Sequence, residues 1–426
     1  MARTIGRGLT LTAVAGLLAL PALGQERGAG YETPPVLKAS DVLPSAWQKS
    51  EHHRVEENVA NDCAMNLYRI DSDFGEYEVW GEVLARVRIR EITAMAALAE
   101  VSDAQVAGEG VGRALTGSLE DTVAFLRSPG ETLKALPHGV KLRFKSTKRD
   151  VEEGVAAVKG EKKTSDRSKS VGGHAESILG VDAAERRWAQ NLRVDPYTAN
   201  PRLKAALRRV ARIDGYASLG TKLVKVPSLP GTDLVKNVYG VVWTLNPGEI
   251  RVLNEERLEG MGAPAETIAA LFEVETLTPT TMTAIVGALA EMEGVADRRV
   301  VIEEALSIAS EADALFLVES LLLAGHFHST EAKLARFVPG TGVPVAVTAD
   351  GRLVAFTAVD YSCWSREIAP LARSFSSAYE ADWSKREVWI SGGVSARFVA
   401  EVKRLGWACR SGFREELLPK LPWTAE

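Results

Sequence analysis

The sequence predicts a mainly α fold with a small C-terminal α+β lobe, built on an irregular multi-helix core that matches no recognised superfold. Three observations predict it: a capped helix with no polar face at 310–325, helix-start signals that recur before it, and a change to strand-like texture after Arg336. In the first, Ser310 with Asp313 reads as a capping box and Gly325 as a stop, and Glu319 is the one charge between Ala314 and Gly325. A helix apolar on every side belongs inside others. It is also shorter than the roughly 20 apolar residues a bilayer crossing requires.

Taken in order, residues 1–24 read as a signal peptide. Arg3 and Arg7 supply the positive start, Leu9 to Leu20 the apolar stretch, and Ala22–Leu23–Gly24 the small residues for cleavage near Gly24. The expected location is therefore periplasmic or secreted, with no transmembrane helix in the mature chain. A flexible leader covers 25–49. Residues 50–158 read as a mixed, mostly helical region: a helix over Ser50–Leu67 from the spacing of Val55, Val59 and Cys63, a turn at Ser72–Gly75, a short strand to Trp80, and a helix over Glu82–Val101. On that last helix Leu84, Val87, Ile92, Met95 and Leu98 form the stripe, leaving Arg86, Arg88 and Arg90 mostly off it. A short helix opens at the capping box Ser118–Asp121.

The segment 134–169 is basic, with 11 Lys/Arg against 5 Asp/Glu, a local +6; the chain as a whole carries −5, so the remainder holds −11. Lys134, Lys141, Arg143, Lys145, Lys148 and Arg149 are the candidate surface-binding set. In an exported protein such a stretch meets anionic lipid headgroups, cell-wall polymer or an acidic protein partner. The overall acidity argues against nucleic acid. A linker spans 159–180, and a helical core spans 181–335. Its starts are Asn200–Pro201, Asn246–Pro247 and Thr278–Pro279. The helices share no repeat motif, which excludes a solenoid. The lobe, 336–426, opens with a hairpin turning at Asp350–Gly351, then a helix over Ser365–Tyr379, a strand at Glu387–Ile390, a tight Ser391–Gly392–Gly393 connection, a helix over Val394–Leu405 and a strand from Trp407.

Few residues point to chemistry, and no cofactor is expected. Glu319, in so apolar a helix, either sits on a narrow exposed strip, or pairs with a cation such as Arg298 or Arg299, or carries a raised pKa, which would make it a candidate general acid. His326 and His328 with Glu319 are the candidate metal ligands. Cys363, just before a helix, is a candidate nucleophile with His326 or His328 to serve it, and Asp360 is a further catalytic candidate. The Cys-Trp pair is similar to the start of the catalytic helix of papain-like proteases, but no histidine follows His328 to complete that order. Export makes a disulfide feasible, and Cys363 with Cys409 is the candidate pair within the lobe; three reduced cysteines is the alternative. Two functions follow. The first is a non-catalytic envelope-associated scaffold that touches an anionic surface or partner. The second is a hydrolase-like or metal-dependent enzyme with its site between the helical core and the lobe.

Overall fold

The computed structural model describes residues 30–106, 173–216, 233–340, 342–379, 383 and 385–424. Residues 1–24, read as a signal peptide from the sequence, the helix expected from Ser118 and the basic segment with Lys134, Lys141, Arg143, Lys145, Lys148 and Arg149 lie outside the described residues. In chain order the elements are β1 (Val36–Lys38), α1 (Ala39–Val42), α2 (Ser45–Gln48), β2 (His53–Val55), β3 (Asn58–Asn61), β4 (Asn66–Ser72), β5 (Tyr77–Trp80) and α3 (Glu82–Val106). Then come α4 (Gly173–Asn191), α5 (Pro201–Tyr216), α6 (Asp233–Thr244), α7 (Pro247–Gly260), α8 (Ala265–Phe272), α9 (Pro279–Glu291), α10 (Arg299–Ala305) and α11 (Glu311–Thr330). The last part holds β6 (Leu334–Val338), β7 (Val345–Thr348), β8 (Leu353–Thr357), β9 (Tyr361–Ser362), α12 (Ile368–Ala378), β10 (Arg386–Ile390), β11 (Gly393–Val394), α13 (Ala396–Arg404), β12 (Trp407–Ser411) and α14 (Arg414–Leu417).

This corrects the mainly α expectation. Among the described residues the helices are joined by three sheets, of five, five and two strands. The missing sheet is the one at the N-terminal side, where a helix was expected over Ser50–Leu67. Instead β2 and β4 pair antiparallel with His53 opposite Ser72 and Val55 opposite Ile70, and β3 pairs β4 through Ala60↔Leu67 and Asn61↔Asn66. The three residues whose spacing suggested one helix face fall on separate segments: Val55 ends β2, Val59 lies in β3 and Cys63 in the turn before β4. The buried polar residues His53 and Asn61 interrupt the apolar alternation that would mark the strands.

The chain divides into two compact units. The first takes Ala60–Leu67 and Arg251–Leu421 with the described residues up to Val36; the second takes Leu37–Val59 and the described residues from Tyr68 to Ile250, with Pro422 onward.

In the second unit α3 is the centre. From Glu82 to Leu98 every residue is buried, including Arg86, Arg88 and Arg90, which the stripe had left outside. Their charge is matched within the unit. Arg86 bonds Glu82 at 2.6 Å and lies over the Trp47 ring, with Arg90 also facing that ring. The Glu91 carboxylate accepts from Arg88 at 2.7 Å, from the Asn200 amide at 2.8 Å and from the Thr198 hydroxyl. Asn200 also caps α5, its side-chain oxygen accepting from Arg202 N–H at 3.0 Å. One residue thus starts a helix and ties it to α3.

In the first unit α11 is the centre. Every position from Asp313 to Ala324 is buried, and the Ser310 hydroxyl accepts from Asp313 N–H as a cap. The helix continues past Gly325 to Thr330, because burying Phe327 edge-on against Phe356 and Trp389 outweighs the cost of about 1 kcal/mol for an interior glycine. The sheet beside it runs β12–β10–β8–β7–β6. Strands β8, β10 and β12 are parallel, while β6 to β8 form an antiparallel meander. The β7–β8 hairpin turns at Asp350–Gly351, Gly351 taking φ +84°. Phe356 and Trp389 face α11; on the alternate face Leu353, Ala355 and Ile390 join a core with Ala369 of α12 and Phe398 of α13. Covered on both sides, β8 is apolar along most of its length rather than alternating.

Candidate functional site

In the first unit the carboxyl ends of the three parallel strands converge. After β8 the chain runs Ala358–Val359–Asp360, after β10 Ser391–Gly392–Gly393, and after β12 it reaches Arg414 at the start of α14. Open sheets of this kind place ligand sites at these ends. The Arg414 guanidinium organises the region. Its Nη2 donates to the Val359 carbonyl at 2.9 Å and to Ser391 Oγ at 3.1 Å and forms an ion pair with Asp360 Oδ1 at 3.0 Å, and its Nη1 lies 3.3 Å from Glu319 Oε1. Asp360 Oδ2 accepts from Asn66 N–H at 2.8 Å. All three charged side chains are less than a tenth exposed. The strand connections also fit closely: a Cβ on Gly392 would overlap the carbonyl oxygens of Val359 and Asp360. Glycine is required there by contact. The N–H groups of Ser391 and Gly393 donate to the Thr357 and Asp360 carbonyls at 3.1 and 3.0 Å, so these two donors face the protein's own backbone.

The expected charge partner of Glu319 is therefore Arg414. Arg298 instead donates to the Leu289 carbonyl, and Arg299 faces Glu303. Nothing local to Glu319 signals the partner, which lies 95 residues away. A charge in an apolar helix says that a partner exists and leaves its identity to the fold.

His326 and His328 both sit in the last turns of α11. Two residues apart on a helix they point to different sides. His326 Nε2 lies 3.1 Å from Glu416 Oε2 and its Nδ1 3.2 Å from the Lys420 amine, and burial with the Lys420 charge lowers its pKa despite Glu416. His328 Nδ1 accepts from Leu334 N–H at 3.1 Å, which ties the helix end to β6; burial lowers its pKa too, with help from Lys333. No group of three His, Cys, Asp or Glu among the described residues is arranged to hold a metal ion.

Cys363 lies ahead of α12 rather than at its first turn, and its sulfur is 2.8 Å from that of Cys63. Burial raises both thiol pKas, Cys63 most of all, where the Cys363 contact adds to it. A nucleophilic thiol needs the opposite shift. Cys409 stands on β12 in register with Val388, its pKa pushed up to about 11 by burial.

No family model, curated protein or solved structure matches this chain.

A second polar focus in the same unit went unforeseen in the sequence. The Glu32 carboxylate accepts from the Ser395 hydroxyl at 2.6 Å and from Trp364 N–H at 2.7 Å, while Ser395 caps α13 by accepting from Phe398 N–H at 3.0 Å. Glu32 falls in a stretch that reads as flexible leader, and its donors lie more than 300 residues on. The sequence places a helix from Val394, one residue before the observed cap at Ser395, and signals neither the cap nor its carboxylate partner. No helix among the described residues is long and apolar enough to cross a membrane.

Proposed function

We propose that this protein is an exported, non-catalytic scaffold of the periplasm or cell envelope, and that its basic segment 134–169 docks on an anionic surface. The carrying observation is the charge segregation, +6 within that segment against −11 elsewhere. A chain whose positive charge is concentrated in one segment is attracted to an anionic surface through that segment and repelled elsewhere, which orients it. The folded part supports the scaffold reading by how it uses its reactive groups. Glu319 and Asp360 share one guanidinium, the Cys363 thiol faces another thiol, and His328 accepts a backbone N–H. Each is spent on holding segments together.

Vesicle sedimentation of the mature protein, with and without 134–169, tests the reading. Each Lys or Arg near an anionic surface contributes about 1 kcal/mol. Replacing Lys134, Lys141, Arg143, Lys145, Lys148 and Arg149 by Gln is thus expected to weaken binding to phosphatidylglycerol vesicles by at least 100-fold at low salt. Wild-type protein that ignores both anionic vesicles and isolated cell wall at low salt would remove the proposal. Export is tested separately: the mass of the secreted product should begin at Gln25.

The enzymatic reading has one observation in its favour, the placement of Asp360, Ser391 and Arg414 at the carboxyl ends of β8, β10 and β12. It requires one of these groups to be released to a substrate. A ligand-induced chemical shift change at the Arg414 side chain, with folding intact, would favour it over the scaffold.

A further inference from the structure

We infer that Cys63 and Cys363 are the two halves of a disulfide that closes when the chain folds in the presence of a disulfide oxidant, pinning the tip of the β3–β4 hairpin to the segment after β8. The two sulfur atoms are 2.8 Å apart in the thiol form, and an S–S bond of about 2.05 Å is reached by closing under an ångström.

The backbones are already held in place for it. Asp360 and Tyr361 N–H both donate to the Ala64 carbonyl, at 2.8 and 3.3 Å, and the Ser362 hydroxyl donates to the Cys63 carbonyl at 3.2 Å. Asn66 N–H reaches the Asp360 carboxylate from the same tip. Cys63 itself adopts φ +74°, in the left-handed region that a side chain seldom occupies. That conformation is fixed from both sides: Asn61 Oδ1 accepts from Cys63 N–H at 2.7 Å, and Asp62 Oδ1 accepts from Ala64 and Met65 N–H. The turn aims one thiol at the other.

The chemistry balances as a dithiol–disulfide exchange. One cysteine thiolate attacks an external disulfide RSSR, forming a mixed disulfide and releasing RS⁻. The second thiolate attacks the mixed disulfide at the protein sulfur and expels the second RS⁻. Two electrons pass from the cysteine sulfurs to the carrier, the two thiol protons end on two RSH, and the protein keeps one S–S bond. In the folded protein both sulfurs are buried and their pKas raised, so few thiolates are present to react. Exchange therefore belongs to folding, before the hairpin tip docks, and the finished bond is shielded from external thiols. The consequence reaches the polar site, because Cys363 is three residues from Asp360 and the tip supplies Asn66 to its carboxylate. Cys409 is left as the free thiol.

The test needs no variant. Reduced, denatured full-length protein is refolded with reduced and oxidised glutathione, blocked with iodoacetamide under denaturing conditions and mapped by mass spectrometry without reductant. The expected result is a cross-linked peptide pair carrying Cys63 and Cys363, two hydrogens lighter than the separate peptides, with alkylation at Cys409 alone. Reduction should lower Tm by roughly 5–15 °C. A Cys409→Ser variant should give the same cross-link. Alkylation of all three cysteines after oxidative refolding would overturn the inference, as would a bond from Cys409 to either partner.

Discussion

Two buried titratable residues give the units opposite responses to pH. His53 is buried, with Nδ1 2.7 Å from the Ser50 hydroxyl and Nε2 3.4 Å from the Trp47 carbonyl, and burial pushes its pKa down to about 4. Unfolded, it takes up a proton near pH 6.5, so the unfolded state binds more protons between pH 6.5 and 4 and stability falls as pH falls through that window. The full effect is up to about 3 kcal/mol. Glu304 behaves in the reverse sense. Burial pushes its pKa up to about 7, and Gly340 N–H donates to it at 2.8 Å. Folded protein then holds a proton that the unfolded chain has released above pH 4.5, so stability falls as pH rises from 4.5 to 7 and levels off beyond. A Glu304→Gln variant keeps the acceptor without the charge. Thermal melts should find it equal to wild type at pH 4 and more stable by about 2 kcal/mol at pH 8. A His53→Asn variant should flatten the acid side instead. Arg414 joins two buried carboxylates. Arg414→Met leaves Glu319 and Asp360 without their shared guanidinium, and denaturant titration should show a loss of about 3–5 kcal/mol.

At the scale of elements, the two central helices are buried for different reasons. Helix α11 buries an apolar surface, whereas α3 buries three arginines by matching each to carboxylates or a ring. Gly325 in α11 has open space where a Cβ would go, and its helical backbone suits alanine. Gly325→Ala is predicted to raise stability by about 0.5–1 kcal/mol, read as a higher melting temperature. Gly392→Ala is predicted to do the opposite, since its Cβ meets backbone carbonyls that cannot move aside. In α5 the double use of Asn200 separates its two roles. Asn200→Asp keeps the cap but sets a second carboxylate against Glu91, so it should destabilise more than Asn200→Ala at neutral pH, and the order should narrow in acid.

At the scale of the whole molecule, what could be read in advance followed the range of the interaction. The caps at Ser310 and Thr278 and the Asp350–Gly351 turn were legible because the atoms involved lie within a few residues of each other. The burial of α11 was legible because a helix of 16 residues with one charge among its central apolar run leaves no face for water. The N-terminal sheet was not, because apolar residues four apart read as one helix face although Val55, Val59 and Cys63 fall on two strands and a turn, and the pairing that separates them is not written in their spacing. The sequence by itself determined the basic segment and the helix starts at Thr278 and Ser310. Only the tertiary structure decided that Glu319 meets Arg414, that Cys63 faces Cys363 across 300 residues and that the arginines of α3 turn inward. The physical reason is that local patterns record what a side chain requires, whereas the group that meets the requirement is chosen when distant segments pack together, and packing is a property of the chain as a whole.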